Sequence, residues 1–588
     1  MRRGKVLKLV AYLFIFVLVL TFTGCSYKKS TEGTIGGEIP EEEKSTKVNF
    51  SVTEVSDLQT KNLHKLCKVW GYVKYNHPVF LLGEKDWDEE LLNLIPIVYN
   101  SESEEQVNDI LYKWFVELGD IDYGTLNIDT EWELAMEKDK VVQADTSWIE
   151  DESYLGVSLS DSLLQLKAIP TVNRRNAPVY FVSVGMPMFK NEKSYEDMNY
   201  MDTDYRLLGL FRFWNAIEYY YPYLDIMDDD WSELLFSFIP KMVEGTDKQS
   251  YKLTLAEIGT YLHDAHVCFR DRDYIFNEFG KYAAPVGLTQ VNGELVVYYI
   301  GEEYKDSCQL TSGDILVKLN GKDINDRIDE VKKYCSYPTD EKILFWISPL
   351  ILRSDNKTME ITVLRDNEEM VLNVEGVEGY FNSWIDSSSS HELLENNIGL
   401  INPSKLSYDE IPEIMEEFAD TNGIIVDLRQ YPSDISIHDL PRYLSKESRA
   451  FAVFSKPSKA VPGTFLKGKS EISGGQLGTF FYKNKVVVLM DETSMSQQEF
   501  VIMSLRNGEN VTVMGENSIG ADGNVTLLPL PGGNRVQFTS LGVYTQEGGQ
   551  TQRIGLAPDI YVEKTIEGIK EGRDEYIEEA IKYILGEK

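Results

Sequence analysis

The sequence is short of the residues from which metal centres and disulfide frameworks are built. Five cysteines and six histidines are spread over 588 residues, and neither a CxxC pair nor an HExxH motif occurs. A disulfide scaffold, a structural zinc site and a zinc metallopeptidase are therefore not indicated. We expect no metal and no other cofactor.

Positive charge is also scarce. The chain has 58 Lys and Arg residues against 95 Asp and Glu residues, a formal net charge of -37. An excess of negative charge repels the phosphate backbone, which argues against a nucleic-acid-binding protein. Hydrophobic residues make up 43% of the chain and aromatic residues 12%, so the chain is not disordered, and its length predicts three or four domains.

A long apolar run stands at the N-terminus. Four basic residues precede the run Leu9 to Leu20, which is followed by TFTGC, and this order is typical of a secretory signal peptide. Phe22-Thr23-Gly24-Cys25 resembles a bacterial lipobox, so we expect residues 1–24 to be removed and Cys25 to carry a lipid at the cell surface or in the periplasm. An uncleaved membrane anchor is the alternative. The polar residues 25–48 predict a flexible tether.

Two stretches of the chain repeat at a fixed offset of 144 residues. Apolar residues at helical spacing predict two copies of a helical unit, in residues 49–200 together with a mixed segment, and in residues 201–275. The first copy has Asp122 where the second copy, ending in TYLHDAHVCF, has His266. The positions that recur are Trp70, Pro78, Trp87, Pro96 and Asp120, matched by Trp214, Pro222, Trp231, Pro240 and Asp264.

The rest of the chain changes to strand patterns. Residues 276–376 include GELVVYYI, SGDILVKLNGKDI and TMEITVLRD, and this stretch resembles a PDZ domain, with Asn320-Gly321 as a favoured hairpin turn. Such domains bind an extended peptide as an added strand, and a small lid that binds nothing is the alternative. Residues 377–588 alternate strand and helix, which predicts an α/β domain with a largely parallel sheet. The fold class is therefore multidomain α+β.

The stretch from Lys485 to Gly523 organises the last domain. An apolar strand, 485–490, ends before Asp491, and a helical pattern begins at Phe500, so Ser494 and Ser496 lie where a strand passes into a helix. The unpaired amides of a first helical turn favour negative charge, which suits a nucleophile. On the local pattern alone, however, a serine here is more often a helix cap, and Glu499 completes a capping box with Ser496.

The motifs SMSQQE, GENSIGADG, GIIVDLRQYP and QTQRIGLAPDIYV resemble the catalytic domain of the carboxy-terminal processing peptidases, and most closely their tricorn-core-like branch. The resemblance covers roughly Tyr205 to Lys588. It implies a serine peptidase with a ClpP/crotonase-like α/β catalytic domain in which Ser496 is the nucleophile. Ala521 stands where one branch of the family has a lysine base, and a methyl group cannot accept a proton. The resemblance then implies His266 as the base, and a pKa near 6.5 suits that role.

The resemblance also suggests the donors that would stabilise the oxyanion. They are the backbone amides of Gln497 and of Ser433, with that of Tyr431 in reserve, because Pro432 has no N–H. Family members carry glycines in this second loop, whereas this chain reads Gln430-Tyr431-Pro432-Ser433.

Two departures concern the support of the base. Ala265 and Gln552 stand where the tricorn-like site has a serine and a glutamate, and a glutamine cannot neutralise an imidazolium. Asp264 and Asp522 are candidates for the missing charge. We expect Asp264 to be a cap or turn residue instead, because side chains two residues apart on a helix point away from each other.

These expectations combine into a lipid-anchored, extracytoplasmic serine endopeptidase that cleaves peptides or unfolded protein C-termini through an acyl-enzyme. A catalytically degenerate surface lipoprotein that holds peptides in a PDZ cleft is the first alternative. A carrier of small hydrophobic ligands, as in the retinoid-binding proteins that use this fold, is the second. The substrate, the cleavage specificity and the oligomeric state do not follow from the sequence.

Overall fold

A computed structural model describes residues 50–121, 140–168, 174, 176–380, 389–407, 409–433, 435–475 and 480–587. The predicted signal peptide, the predicted lipid-attachment residue Cys25, the predicted tether and Asp122 lie outside the described residues. Within the described ranges, no helix combines the length and the apolar character needed to cross a bilayer.

Helices dominate the first half of the described chain. The first set contains α1 (Asp57–Asn76), α2 (Pro78–Leu81), α3 (Trp87–Tyr99) and α4 (Glu104–Glu117). A mixed segment follows with β1 (Lys140–Gln143), α5 (Glu152–Leu155), α6 (Val157–Lys167), β2 (Tyr180–Phe181) and β3 (Pro187–Met188). The second set contains α7 (Thr203–Tyr220), α8 (Trp231–Glu244) and α9 (Lys248–Thr260), and β4 (Cys268–Phe269) and α10 (Asp273–Phe279) come after it.

The two helical sets share local interactions at equivalent positions. The indole N–H of Trp70 donates to the Trp87 carbonyl at 2.8 Å, and that of Trp214 donates to the Trp231 carbonyl at 2.7 Å. An aspartate caps the N-terminus of both α3 and α8, where its carboxylate satisfies amides that have no partner within the helix. Because the two capping aspartates stand at equivalent positions of the two sets, α3 and α8 also begin at equivalent positions.

A buried ionic network joins the two helical sets. Arg212 on α7 contacts Asp88 on α3 at 2.6 Å and Glu192 at 3.1 Å. Lys74 on α1 contacts the other oxygen of Glu192 at 2.6 Å. All four side chains are shielded from solvent, so each charge needs the others to offset its lost hydration.

A β region follows the helices. It contains β5 (Tyr282–Ala283), β6 (Val286–Val291), β7 (Glu294–Ile300), β8 (Ile315–Leu319), β9 (Lys322–Asp323), α11 (Ile324–Lys332), α12 (Ile343–Ile351), β10 (Arg353–Ser354), β11 (Thr358–Arg365), β12 (Glu368–Glu375) and β13 (Val377–Glu378). Its main sheet has the order β12-β11-β8-β7-β6, with β9 beside β8. Asn320 and Gly321 both have positive φ and turn the chain from β8 into β9, as the sequence predicts. We call residues 282–378 the middle region.

The last part of the chain builds an α/β layer. Its strands are β14 (His391–Leu394), β15 (Ile398–Ile401), β16 (Gly423–Asp427), β17 (Ser448–Pro457), β18 (Thr464–Gly474), β19 (Lys485–Met490), β20 (Val511–Gly515), β21 (Val525–Leu530), β22 (Asn534–Thr539), β23 (Gly542–Thr545) and β24 (Ile560–Tyr561). Its helices are α13 (Ile411–Glu417), α14 (Pro441–Leu444), α15 (Gln497–Leu505), α16 (Ile566–Glu571) and α17 (Glu575–Leu585). The main sheet has the order β14-β15-β16-β19-β20-β24 and is parallel from β15 onward.

Two antiparallel sheets connect this layer to the helical part. One has the order β1-β18-β17-β23, and the other has the order β21-β22-β4. In the second sheet, Cys268 pairs with Gln537 and Phe269 with Val536. The segment that directly follows His266 is therefore a strand of a sheet shared with the last domain.

Candidate active site

Ser496 lies at the turn between β19 and α15. Its backbone has φ 55° and ψ -119°, a conformation that a residue with a side chain rarely adopts and that needs support from its surroundings. That support is visible, since its N–H donates to the Ala521 carbonyl at 2.8 Å and approaches the Glu499 carboxylate at 3.3 Å. The strand-to-helix turn and the N-terminus of α15 are where the sequence predicts them.

Glu499 holds the turn that faces Ser496. Its buried carboxylate accepts hydrogen bonds from the Ser518 hydroxyl at 2.5 Å, from the Gly520 N–H at 2.9 Å and from the Ala521 N–H at 3.0 Å. Burial raises the pKa of Glu499, and these hydrogen bonds oppose that rise. The capping glutamate of the sequence thus also organises the turn that carries Ala521.

Lys342 reaches the same turn from the middle region. Its ammonium group donates to the carbonyls of Ser518 at 2.5 Å, Ile519 at 3.0 Å and Ile554 at 3.1 Å. With its protons directed at carbonyl oxygens, this lysine acts as a cation and a donor, and it does not replace the base that Ala521 lacks. Nothing in the sequence pattern indicated this contact.

His266 is a buried side chain, 6% exposed, in the segment before β4. Its Nδ1 lies 2.9 Å from the Thr539 hydroxyl at the end of β22, and its Nε2 has no hydrogen-bond partner among the described residues. Burial lowers the pKa of His266, and the charge of Asp264 raises it in part. A neutral imidazole with an open Nε2 can accept a proton near neutral pH.

Asp264 lies beside the imidazole. The turn at residues 261–263 ends the helical run, so Asp264 and His266 are not two positions of one helix, and the expectation that their side chains point apart is wrong. The carboxylate accepts the His266 N–H at 2.9 Å and lies 3.7 Å from its Nδ1. Asp264 is a turn residue, as expected, and its carboxylate also lies beside the imidazole of His266.

Ser496 and His266 belong to one neighbourhood, although no hydrogen bond joins them in the described part of the chain. Their sequence neighbours Met495 and Ala265 pack into one small apolar cluster with Ile519 and Ala521. Ser496 and His266 therefore each directly follow a residue of that cluster in the chain. Catalytic hydrogen bonds in unliganded enzymes are often long or poorly aligned, so the lack of this bond does not by itself exclude the pair.

Of the two predicted oxyanion donors, the backbone amides of Gln497 and Ser433, one is already engaged in a hydrogen bond. Ser433 donates its N–H to the Pro403 carbonyl at 3.0 Å, so this amide is engaged within its own loop and does not serve as the second donor in this conformation. Burial raises the pKa of Tyr431, and interactions with the Ser496 side chain and the Gln497 N–H lower it. The partly exposed side chain of Tyr431 is therefore a neighbour of Ser496, whereas the sequence suggested only its backbone amide.

Neither Gln552 nor Asp522, the remaining candidates, forms a hydrogen bond with His266 in the described part of the chain. Gln552 is fully buried, and neither polar atom of its side chain has a hydrogen-bond partner in the described residues. Burial and the nearby Glu499 raise the pKa of Asp522 well above its usual range, which favours the neutral carboxyl. Asp522 is consequently a poor source of the missing negative charge. Among the described residues, no group of three or more His, Cys, Asp and Glu side chains is arranged to hold a metal ion.

Comparison with known proteins then classifies the domain that carries Ser496. Residues 397–562 match the model of Peptidase family S41. The last domain is an S41 peptidase domain. By this family the chain is a serine-type peptidase, and the S41 domain includes Ser496, Ala521 and Gln552, whereas His266 lies outside the matched range.

Relatives of the S41 domain extend the similarity over more of the chain. A carboxy-terminal-processing protease of Bartonella bacilliformis is 24% identical over 335 residues, which are 55% of this chain and 70% of that protein. The structure of mature CPAF complexed with lactacystin is 12% identical with a TM-score of 0.50, and the match covers 65% of this chain and 98% of that one. This second likeness concerns the fold. The photosystem II D1 C-terminal processing protease is 16% identical with a TM-score of 0.36, over 62% of this chain and 96% of that one.

Proposed function

We propose that this chain is an extracytoplasmic, lipid-anchored serine endopeptidase that cleaves peptides or unfolded protein C-termini through an acyl-enzyme. Ser496 is the nucleophile and His266 the general base. The observation that carries the proposal is the strained backbone of Ser496 at the strand-to-helix turn where α15 starts. A carboxy-terminal-processing protease among the relatives supports this substrate class.

The reaction follows from the groups around the two side chains. The Ser496 hydroxyl oxygen bonds to the peptide carbonyl carbon, its proton passes to Nε2 of His266, and the carbonyl oxygen becomes an oxyanion that accepts from the Gln497 N–H. Collapse of this intermediate breaks the C–N bond, and the amine leaves with the proton from His266. Water then attacks the ester by the same route and regenerates Ser496.

The surroundings of His266 suit this exchange. If Nδ1 carries the imidazole proton and makes a hydrogen bond to the Thr539 hydroxyl, the lone pair of Nε2 is free to accept a proton. The Asp264 carboxylate, 3.7 Å from Nδ1, stabilises the imidazolium that forms during the reaction. Thr539 and Asp264 thereby take the supporting role for which Gln552 is unsuited.

The remaining architecture belongs to the same proposal. We infer that the two helical sets are copies of one unit, which is supported by their matching indole hydrogen bonds. The strand order and hairpin turn of the middle region support a PDZ-like domain. The lipobox-like Phe22 to Cys25 supports a lipid anchor.

A fluorophosphonate probe tests the nucleophile. It should label wild-type protein and leave Ser496→Ala unlabelled, whereas Ser494→Ala, a change two residues away, should still be labelled. Labelling that survives in Ser496→Ala would remove Ser496 from the role. His266→Ala should lose peptidase activity by a factor of about 10³ or more, and full activity in that variant would refute the histidine assignment.

A second candidate is a peptide-binding lipoprotein without turnover. It is favoured by the missing hydrogen bond between Ser496 and His266 in the described residues and by the unpaired side chain of Gln552. Binding of unfolded casein without any Ser496-dependent hydrolysis would support this candidate, and Ser496-dependent hydrolysis would exclude it.

A further inference from the structure

Gln498, in the first turn of α15, is almost completely buried, with 3% of the residue exposed. Both ends of its side-chain amide make hydrogen bonds. The amide oxygen accepts from the Met495 N–H at 3.0 Å, and the amide nitrogen donates to the Leu428 carbonyl at 2.7 Å. One amide group therefore joins the residue before the proposed nucleophile to the segment that follows β16.

Gln498 also holds Met495 through its backbone. The Gln498 N–H donates to the Met495 carbonyl at 3.0 Å, so the two residues exchange a pair of hydrogen bonds. Ser496 directly follows Met495 and has a φ of 55°, a strained conformation that persists only where the surrounding contacts fix it. Gln498 supplies two contacts to the residue that leads into this conformation.

The Leu428 carbonyl belongs to a peptide group that is held on both sides. The Ser494 hydroxyl donates to the same carbonyl at 3.1 Å. The N–H of this peptide group, which is that of Arg429, donates to the Asp427 carboxylate at 3.1 Å. Because a peptide group is planar, these contacts set its orientation. The loop of residues 430–433 therefore starts from a defined position relative to α15.

The far end of this loop is held by a different segment. The Ser433 N–H donates to the Pro403 carbonyl at 3.0 Å, and the Ser433 hydroxyl donates to the Leu406 carbonyl at 2.7 Å. Within the described ranges, the hydrogen bond from Gln498 is the shortest that a side chain of residues 491–499 makes to the segment 428–433. The position of the loop beside Ser496 thus depends on this amide.

We propose that Gln498 is a positioning residue that holds residues 428–433 at a fixed distance from Ser496 and so aligns the N–H groups that would stabilise the oxyanion. This inference rests on the proposed peptidase function. The oxyanion forms on the carbon bonded to the Ser496 oxygen, next to the Gln497 N–H, and a second donor from residues 428–433 must reach the same oxygen atom.

A buried amide suits this task. Oxyanion donors act only over a narrow range of distances, roughly 2.7–3.1 Å, so the two segments that carry them must not drift apart. The Gln498 amide is uncharged, and its two hydrogen bonds are shielded from competing water. The link between turn and loop therefore does not change with the protonation of neighbouring groups.

The rate of phosphonylation by an alkyl fluorophosphonate tests the proposal without a known substrate. In that reaction the Ser496 oxygen bonds to phosphorus, fluoride leaves, the serine proton goes to His266, and the phosphonyl oxygen takes the oxyanion position. Gln498→Met keeps the approximate size of the side chain and removes both of its hydrogen bonds. We expect the second-order rate constant to fall on the order of 10²-fold, because a displacement of about 1 Å can cost that much. An unchanged rate would overturn the proposal.

Asn215→Leu is the matched control. Asn215 is a fully buried residue on α7 whose amide nitrogen donates to the carbonyls of Cys67 at 3.1 Å and Phe211 at 2.9 Å. This variant also loses two buried hydrogen bonds, so we expect a similar fall in melting temperature, with the labelling rate within about twofold of wild type. Equal losses of labelling rate in the two variants would assign Gln498 a merely structural role and refute the inference.

Hydrogen exchange measured by mass spectrometry follows the loop directly. A peptide that covers residues 428–433 should exchange about tenfold faster in Gln498→Met than in wild type, because its anchor to α15 is lost. The same peptide should exchange at the wild-type rate in Asn215→Leu. A wild-type exchange rate in Gln498→Met would refute the link between loop and turn, whatever the labelling rate of that variant.

A split between kinetic constants separates alignment from substrate binding. With fluorescein-labelled casein, Gln498→Met should lower kcat and leave KM within about twofold, because the aligned donors act on the oxyanion. A rise in KM at unchanged kcat would contradict the inference. If wild-type protein shows no Ser496-dependent labelling, the peptidase function itself fails. Ser496-dependent labelling that Gln498→Met leaves unchanged refutes the role of Gln498 alone.

Discussion

At the scale of single residues, His266, the proposed base, has a partner that the sequence did not reveal. Thr539 ends a strand 273 positions after His266, and its hydroxyl lies 2.9 Å from Nδ1. No spacing rule connects two residues so far apart, so only the fold could identify Thr539. Ser496 and His266, by contrast, could be proposed from motifs that are local in the sequence, although their separation could not.

Replacing Thr539 with valine tests whether this hydroxyl orients the base. We expect kcat to fall about fivefold in Thr539→Val, because one hydrogen bond is worth roughly 1 kcal/mol. The control is Thr526→Val on β21, a buried threonine that donates to the Pro187 carbonyl. Each variant loses one buried hydrogen bond, and we expect the two to be destabilised by a similar amount. Only a fall in kcat confined to Thr539→Val therefore supports the orienting role. Steady-state kinetics on casein and thermal unfolding provide the two measurements.

At the scale of elements, local sequence patterns predicted where strands and helices lie in the chain better than which elements pair with one another. The apolar strand β19 and the capped helix α15 follow from sequence periodicity, and so does the closing helix α17. The pairing of β4 with β22 did not follow, because β4 has two residues and no periodicity of its own. That pairing nevertheless determines where His266 lies.

The turn after β20 is another element whose support comes from a distant segment. Lys342→Met removes three hydrogen bonds to the carbonyls around Ser518. We expect a loss of about 1–3 kcal/mol in unfolding free energy and slower labelling of Ser496, because the Ala521 carbonyl that holds the Ser496 N–H belongs to the same turn. The control is Lys305→Met, which replaces an exposed lysine paired with Glu302 and should change neither the unfolding free energy nor the labelling rate. Urea unfolding and the rate of Ser496 labelling are the two measurements. Wild-type values of both in Lys342→Met would contradict the supporting role.

At the scale of the whole molecule, one glutamate between the two helical sets, Glu218, has a pKa that folding raises. Burial raises the pKa of Glu218 on α7 to about 7, with Lys68 on α1 opposing that rise. The folded protein therefore binds a proton that the unfolded chain releases near pH 4.5. Between these two values, stability falls as the pH rises.

Glu218→Gln should remove this pH dependence. We expect the variant to match wild type near pH 4.5 and to be more stable at pH 8 by about 3 kcal/mol. Glu244→Gln, an exposed change at the end of α8, is the control and should show no such trend. Urea unfolding across this pH range checks the prediction, and a difference that stays constant with pH would contradict it.

Assembly of the proposed centre also has an order in time. The strand that holds the imidazole in place, β22, ends at Thr539, and the Ser496 hydroxyl follows His266 by roughly 230 residues of the chain. A ribosome therefore synthesises the proton acceptor long before the attacking group, and the strand that orients it later still. Until Ser496 has been synthesised, the nascent chain lacks the proposed nucleophile and cannot cut itself or its neighbours by this mechanism.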